Sequence, residues 1–170
     1  MPRASTSTRG AAERAPARGA WITKTQAYDR YSLGPSDLDN ILPVSVERNS
    51  SGNGYIHKYN ECDVRLLRAK IVDMVATLQV GAPEGDTVPV NGKTIVRTQA
   101  KRDYKLDDNQ MDRIRPRRIQ PNPHRSSASP MRIYNVCDVQ ALADGIASLK
   151  DRPAPADALA AHNAIPYGSP

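Results

Sequence analysis

Apolar and polar positions along this chain fall into the same series of periods twice. Val64, Leu67, Ile71, Met74, Val75 and Leu78 recur at helical spacing, and so do Val139, Leu142, Ile146 and Leu149. Each helix is preceded by two short strand-like pieces around a turn-rich loop. Residues 44–48 alternate with period two, residues 49–54 are Asn, Ser and Gly, and residues 55–59 form the return strand. Residues 117–120, 122–130 and 131–134 are their counterparts. Two shorter helices precede each hairpin. Thr25 is placed to cap residues 26–31, with Ala27 and Tyr31 on one face, and Thr98 through Tyr104 repeats this. Ser36 and Asn109 are expected to cap the next short helix, with Asp39 and Asp112 at the third helical position. Pro43 and Pro116 are expected to end it. Asn60 and Asn135 are read as caps of the third helices, and Gly145 weakens the last one.

Literal repetition supports the pattern. Thr25-Gln26-Ala27, Tyr31 and Leu33 return as Thr98-Gln99-Ala100, Tyr104 and Leu106. Tyr59-Asn60, Cys62-Asp63-Val64 return as Tyr134-Asn135, Cys137-Asp138-Val139. The second copy is longer by two residues, which fall in the hairpin loop, where insertion costs least. The expectation is an α+β fold of two tandem modules, each reading helix, helix, β-hairpin, helix. The modules are set at residues 21–78 and 93–150, with a Gly- and Pro-rich linker at 79–92 and disordered tails at 1–20 and 151–170. Copies this short have marginal cores, so they are expected to pack on each other or on a partner.

Charge alters the picture more than composition does. The 170 residues carry a formal net charge of +6, concentrated in the second copy and in residues 1–20. Residues 72–92 hold acids and no base. A basic domain suits a polyanion. The Arg-rich first segment suits a nucleic-acid-binding arm or, second, a mitochondrial transit peptide. Cys62 and Cys137 share a repeat position, which points to small buried apolar residues more than to a disulfide. No C-x-x-C pattern suggests zinc. An intracellular protein is expected, without a membrane-spanning segment and without a cofactor.

The order Lys/Arg-Thr-x-Ala, Tyr-x-Leu, Asp-Leu, Asn-Pro-His, Met-Lys/Arg-Leu/Ile-Tyr resembles the C-terminal DNA-binding half of the xeroderma pigmentosum group A repair protein family. The second copy carries most of it, in Arg97-Thr98-Gln99-Ala100, Tyr104-Lys105-Leu106, Asn122-Pro123-His124 and Met131-Arg132-Ile133-Tyr134. The first copy contributes Lys24-Thr25-Gln26-Ala27, Tyr31-Ser32-Leu33 and Asp37-Leu38. The resemblance implies a small winged-helix-like unit, nuclear location, a link to DNA repair, and a hairpin acting as a wing on DNA. It makes Lys24 and Thr25, and Arg97 and Thr98, phosphate contacts. A helix N-terminus with a neighbouring cation suits a phosphate independently. Lys101, Lys105, Arg115, Arg117, Arg118, Arg125 and Arg132 complete the candidate nucleic-acid contacts. Tyr55 is the aromatic residue near a hairpin tip. Val44 and Ser45 stand where the second copy has Arg117 and Arg118, so the second module is expected to hold nucleic acid. The first is expected to hold a protein or to complete the core.

Catalysis is not expected. His57, His124 and His162 have no consistent partner, and no phosphate-binding glycine loop or nucleophile motif occurs. Two readings stand. One is a non-enzymatic nucleic-acid-binding protein, with DNA favoured over RNA, that reads backbone more than bases. The other is a structural or adaptor subunit of a larger protein or RNA–protein assembly.

Overall fold

The fold is described from a computed structural model covering residues 14–123 and 129–150. The chain divides into two compact units, residues 1–69 and 70–170, with the boundary inside one helix. Both are α+β. In the first unit the order is β1 (Trp21–Thr23), α1 (Lys24–Tyr31), α2 (Pro35–Leu38), β2 (Ser45–Arg48), β3 (Tyr55–Asn60) and α3 (Glu61–Ala76). The second follows with β4 (Thr94–Val96), α4 (Arg97–Tyr104), α5 (Asp108–Met111), β5 (Arg118–Gln120), β6 (Met131–Asn135) and α6 (Val136–Ser148). Two elements were not expected: β1 and β4 are short strands that complete antiparallel sheets of order β1-β3-β2 and β4-β6-β5. They are three residues each, too short for a period to show.

Eight buried apolar positions correspond between the units. Ile22, Ala27, Leu33, Leu38, Ile41, Tyr59, Val64 and Leu67 are buried in the first unit. Ile95, Ala100, Leu106, Met111, Ile114, Tyr134, Val139 and Leu142 form the core of the second. Shared motif residues therefore encode packing. At about 1.5–3 kcal/mol for each large apolar side chain removed from water, this set is the main favourable term in each unit. Met74 and Leu78, which the helical pattern assigns to the first module, pack against the second core instead. There α6 comes so close that a methyl group on Gly145 would lie 2.8 Å from Met74 Cγ and Sδ. A side chain at Gly145 would force Met74 to shift, so packing favours this weak helix former, and the first copy has Lys70 in its place.

The caps differ from those expected. Thr23, not Thr25, caps α1: its hydroxyl accepts from Gln26 N–H at 3.3 Å, and its N–H donates to Gln26 Oε1 at 2.9 Å. Thr25 and Thr98 lie inside the first helical turn. Val96 holds the equivalent cap position without a side-chain bond. The second short helices begin before Ser36 and Asn109. Gly34 caps α2, its N–H donating to the buried Asp37 carboxylate at 2.9 Å. Asp107 caps α5 through a reciprocal pair with Gln110, at 2.8 and 2.9 Å. Asp39 and Asp112 are C-caps. These helices stop at Leu38 and Met111, ahead of Pro43 and Pro116, so the prolines are not what ends them.

The repeat also starts earlier than the apolar pattern showed. Ala15 N–H donates to Pro43 O at 3.0 Å, and Val88 N–H donates to Pro116 O at 3.0 Å. Glu61 N–H donates to Ala20 O, and Val136 N–H to Lys93 O, both at 2.8 Å. Residues 15–20 and 88–93 are thus equivalent straps laid along each module. Gly19 and Gly92 both take φ +72° where the strap turns into its strand, a conformation that a side chain disfavours.

The straps explain the Tyr-Asn-x-Cys-Asp-Val motif. Asn60 does not cap by accepting from its helix: its Oδ1 accepts from Arg18 N–H at 2.7 Å, and its Nδ2 donates to Pro16 O at 3.1 Å and Asp63 Oδ2 at 2.7 Å. Asn135 repeats this with Asn91 N–H at 2.9 Å, Pro89 O at 3.0 Å and Asp138 Oδ2 at 3.1 Å. A buried amide is stable here because each of its polar atoms has a partner. The cysteines belong to the same device. Cys62 Sγ donates to Arg18 O at 3.7 Å and Cys137 Sγ to Asn91 O at 3.6 Å. Both thiols are free, Cys62 half-buried and Cys137 exposed, so neither is the buried apolar residue that was expected. Burial first, and then the neighbouring Asp63 and Asp138 carboxylates, push both thiols up from the ordinary range and disfavour thiolate.

Candidate nucleic-acid interface

Three of the expected basic contacts of the second unit, Arg97, Lys101 and Arg132, are held by its own acids. Arg97, the first residue of α4, donates from Nη1 to Asp112 Oδ1 at 2.6 Å and to Tyr134 Oη at 3.2 Å. From Nε it reaches Asp108 Oδ1 at 3.1 Å, and from Nη2 the Asp108 carbonyl at 3.0 Å. Its side chain is 19% exposed. Burial opposes the charge, but the Asp112 carboxylate and Tyr134 hydroxyl outweigh it and push the guanidinium pKa up. Lys101, one turn further along α4, donates to Asp108 Oδ2 at 2.6 Å, and Arg132 of β6 to Asp112 Oδ1 at 3.1 Å. The Lys101 hydrogen bond, seconded by Arg97, holds the Asp108 carboxyl below its usual range. Such a network links α4 and α5 to β6, whereas a lone exposed ion pair contributes little.

Arg115 is engaged differently. Its Nη1 donates to the carbonyls of Pro83 and Gly85 at 2.6 and 3.0 Å. Gln79 grips the Arg115 backbone from both ends, accepting from its N–H and donating to its C=O at 2.9 Å each, and also donates to Asp138 Oδ2 at 3.0 Å. These bonds tie the 79–91 segment to its unit. A cavity of about 340 Å³ lies under that segment, lined by Gln79, Val88, Asn135 and Asp138 among others.

Arg117, Arg118 and Lys105 are placed otherwise. Lys105 is the left-handed C-cap of α4, at φ +55°, and is exposed. Arg117 anchors the hairpin through its backbone N–H, which donates to Ile133 O at 2.8 Å. Arg118 opens the edge strand β5, opposite Ile133 on the central strand, and is exposed. Among the described residues none of these three side chains has a hydrogen bond or ion pair. Arg125 lies outside the described residues. Thr98 is exposed on the first turn of α4.

The equivalent surface of the first unit has different chemistry. Lys24 stands for Arg97, Tyr28 for Lys101, His57 for Arg132 and Pro35 for Asp108, while Asp39 keeps the place of Asp112. Lys24 has no hydrogen bond or ion pair among the described residues, and Thr25 beside it is exposed. The His57 and Tyr59 rings stack at 6.5 Å between centroids and 17° between planes. On the opposite face of the sheet, Lys58 Nζ lies 4.2 Å from the centroid of the Trp21 ring and donates to both Glu47 oxygens at 2.7 and 2.8 Å.

No protein-family description, curated protein or solved structure matches this chain.

What can be said of the site therefore rests on its own geometry. Sequence reasoning missed the partners Asp108, Asp112 and Tyr134, and the Gln79 clamp. Tyr134 was legible as part of the repeat and its return strand, but no local signal pairs Arg97 with acids 11 and 15 positions away. Among the described residues no helix is long and apolar enough to cross a membrane.

Proposed function

We propose that this protein is a non-enzymatic nucleic-acid-binding protein, DNA favoured, whose second module grips the backbone with its hairpin as a winged-helix domain does. The observation that carries the reading is the Arg117–Arg118 pair: adjacent cations at an edge strand, with no carboxylate partner among the described residues. Guanidinium groups without internal partners are available to phosphate oxygens, and each phosphate neutralised releases counterions. Lys105 extends the same chemistry. Arg97, Lys101 and Arg132 support the hairpin and the short helices more than they offer free charge. Such contacts position a protein on the backbone without reading bases.

The test is binding of labelled duplex, forked and single-stranded DNA to the intact chain across a salt series. Arg117→Glu with Arg118→Glu is expected to weaken binding at least tenfold and to lower the salt slope by about two. Unchanged affinity overturns the wing. Failure of the intact chain to bind any of the three at low salt overturns nucleic-acid binding and favours an adaptor role.

A further inference from the structure

The first unit lacks the basic edge of the second, yet it presents three exposed aromatic rings. Trp21, Tyr28 and Tyr55 are 51%, 52% and 70% exposed, and among the described residues of the second unit no aromatic residue is an exposed large apolar side chain. Tyr55, His57 and Tyr59 occupy alternate positions of β3, so their side chains stand on one face of the sheet. Tyr59 is buried, His57 is half-buried and stacks on it, and Tyr55 is open. Val46 and Arg48 lie opposite His57 and Tyr55 on β2, on that same face. Lys24 and His57 occupy the positions that in the second unit converge on Asp112. Tyr28 is one turn along α1 from Lys24, on the same side of the helix.

We infer that this face of the first unit, formed by Tyr55, His57 and Tyr28 with the cations Lys24 and Arg48, is a stacking surface for unpaired bases of single-stranded nucleic acid. The inference rests on the nucleic-acid-binding reading above and assigns the first unit its share of it. A row of aromatic faces accepts any base, because every base has a π-face. Cations beside the row track the phosphates. Lys24 and Arg48 have no ion pair among the described residues. Glu47, the acid of β2, alternates to the opposite face and is held there by Lys58. Asp39 lies at the inner end, close enough to act on Tyr59, and Asp29 follows Tyr28 on α1, so the outer end at Tyr55 and Arg48 is the favourable one for a phosphate. The second unit could not serve in this way, since its equivalent positions hold Arg97, Lys101 and Arg132 locked on Asp108 and Asp112.

The test uses the full chain with labelled oligothymidylate, oligouridylate and a blunt duplex. Tyr55→Ala and His57→Ala are each expected to weaken both single strands by about 5- to 100-fold, the range for losing one stacked base. Duplex affinity should be unchanged, and Tyr55→Phe should retain wild-type binding. Tyr55 is open to solvent, so its variants should keep the wild-type melting temperature, which separates lost stacking from lost folding. Equal single-strand affinity in wild type, Tyr55→Ala and His57→Ala overturns the inference. If in that case the Arg117/Arg118 variant still loses binding, the wing reading stands alone. Loss in the aromatic variants with no loss in the Arg117/Arg118 variant supports the inference and overturns the wing. If the intact chain binds neither oligonucleotide, both readings fall and the face is left to a protein partner.

Discussion

The two units have matching interiors and different surfaces. Eight buried positions coincide from Ile22 and Ile95 to Leu67 and Leu142, and the straps are held by the same Asn, Cys and Asp. On the face beside the hairpin, the second unit pairs three cations with two aspartates, while the first places Lys24, Tyr28, His57 and Pro35 there. An interior allows few solutions, because each buried atom must fit its neighbours and each buried polar atom must be paired. A surface position tolerates almost any residue, so the two copies could take on different binding chemistry without altering the fold. Residues shared by the copies therefore report architecture, and residues that differ are the better guide to binding.

The largest effect is expected where the units are alike. Asn60→Ala and Asn135→Ala each leave a strap N–H and C=O without their partner, and should each cost about 3 kcal/mol in urea denaturation. The comparison is broken if one variant is neutral while the other is severe. An effect of up to similar size depends on pH in the first unit. Burial, and then the Asp39 charge, push Tyr59 up to about 12. Above about pH 10 the unfolded chain gives up this proton while the folded chain keeps it. Stability is thus complete below pH 10 and falls as pH rises through 12, by up to about 3 kcal/mol. Tyr59→Phe should remove this part of the alkaline loss, seen in denaturation curves taken at successive pH values. The smallest contrast lies at the first helices. Arg97→Ala should cost about 2 kcal/mol, since it leaves the buried Tyr134 hydroxyl without its partner and Asp112 with Arg132 alone. Lys24→Ala at the equivalent position should stay within about 0.5 kcal/mol. Equal melting temperatures for those two variants would show that the internal network adds nothing.

Much of the fold was legible in local pattern. The order of α1, α2, hairpin and long helix followed from apolar spacing and from capping and turn residues, and so did the buried Val64, Leu67, Val139 and Leu142 of the long helices. What escaped was short or distant. β1 and β4 are too brief to show alternation. Thr23 and Asp107 lie just outside the motifs that were compared, so Thr25, Ser36 and Asn109 were given their capping roles. The straps could have been found, since Pro16 and Gly19 recur as Pro89 and Gly92 at the spacing of the Thr-Gln-Ala repeat. Their Ala-, Arg- and Val-containing context hid them among residues read as tail and linker. Of the candidate contacts, the Arg117–Arg118 run was readable as a patch of charge. The engagement of Arg97, Lys101, Arg115 and Arg132 was not, because a charged residue looks the same in sequence whether or not an acid faces it.

The amino-acid order alone determined that the chain is a duplication and that each copy forms two short helices, a hairpin and a longer helix with an apolar face. Those properties depend on periodicity and capping within a few neighbouring residues. Only the tertiary structure decided how Asn60 and Asn135 are used, where Met74 and Leu78 pack, and which cations are left without an internal partner. Each of those outcomes depends on groups brought together from afar, as when Asn135 meets Pro89 across 46 positions. Contact at that range is set by the closing of the sheet and the packing of helices upon it, and no local preference encodes it.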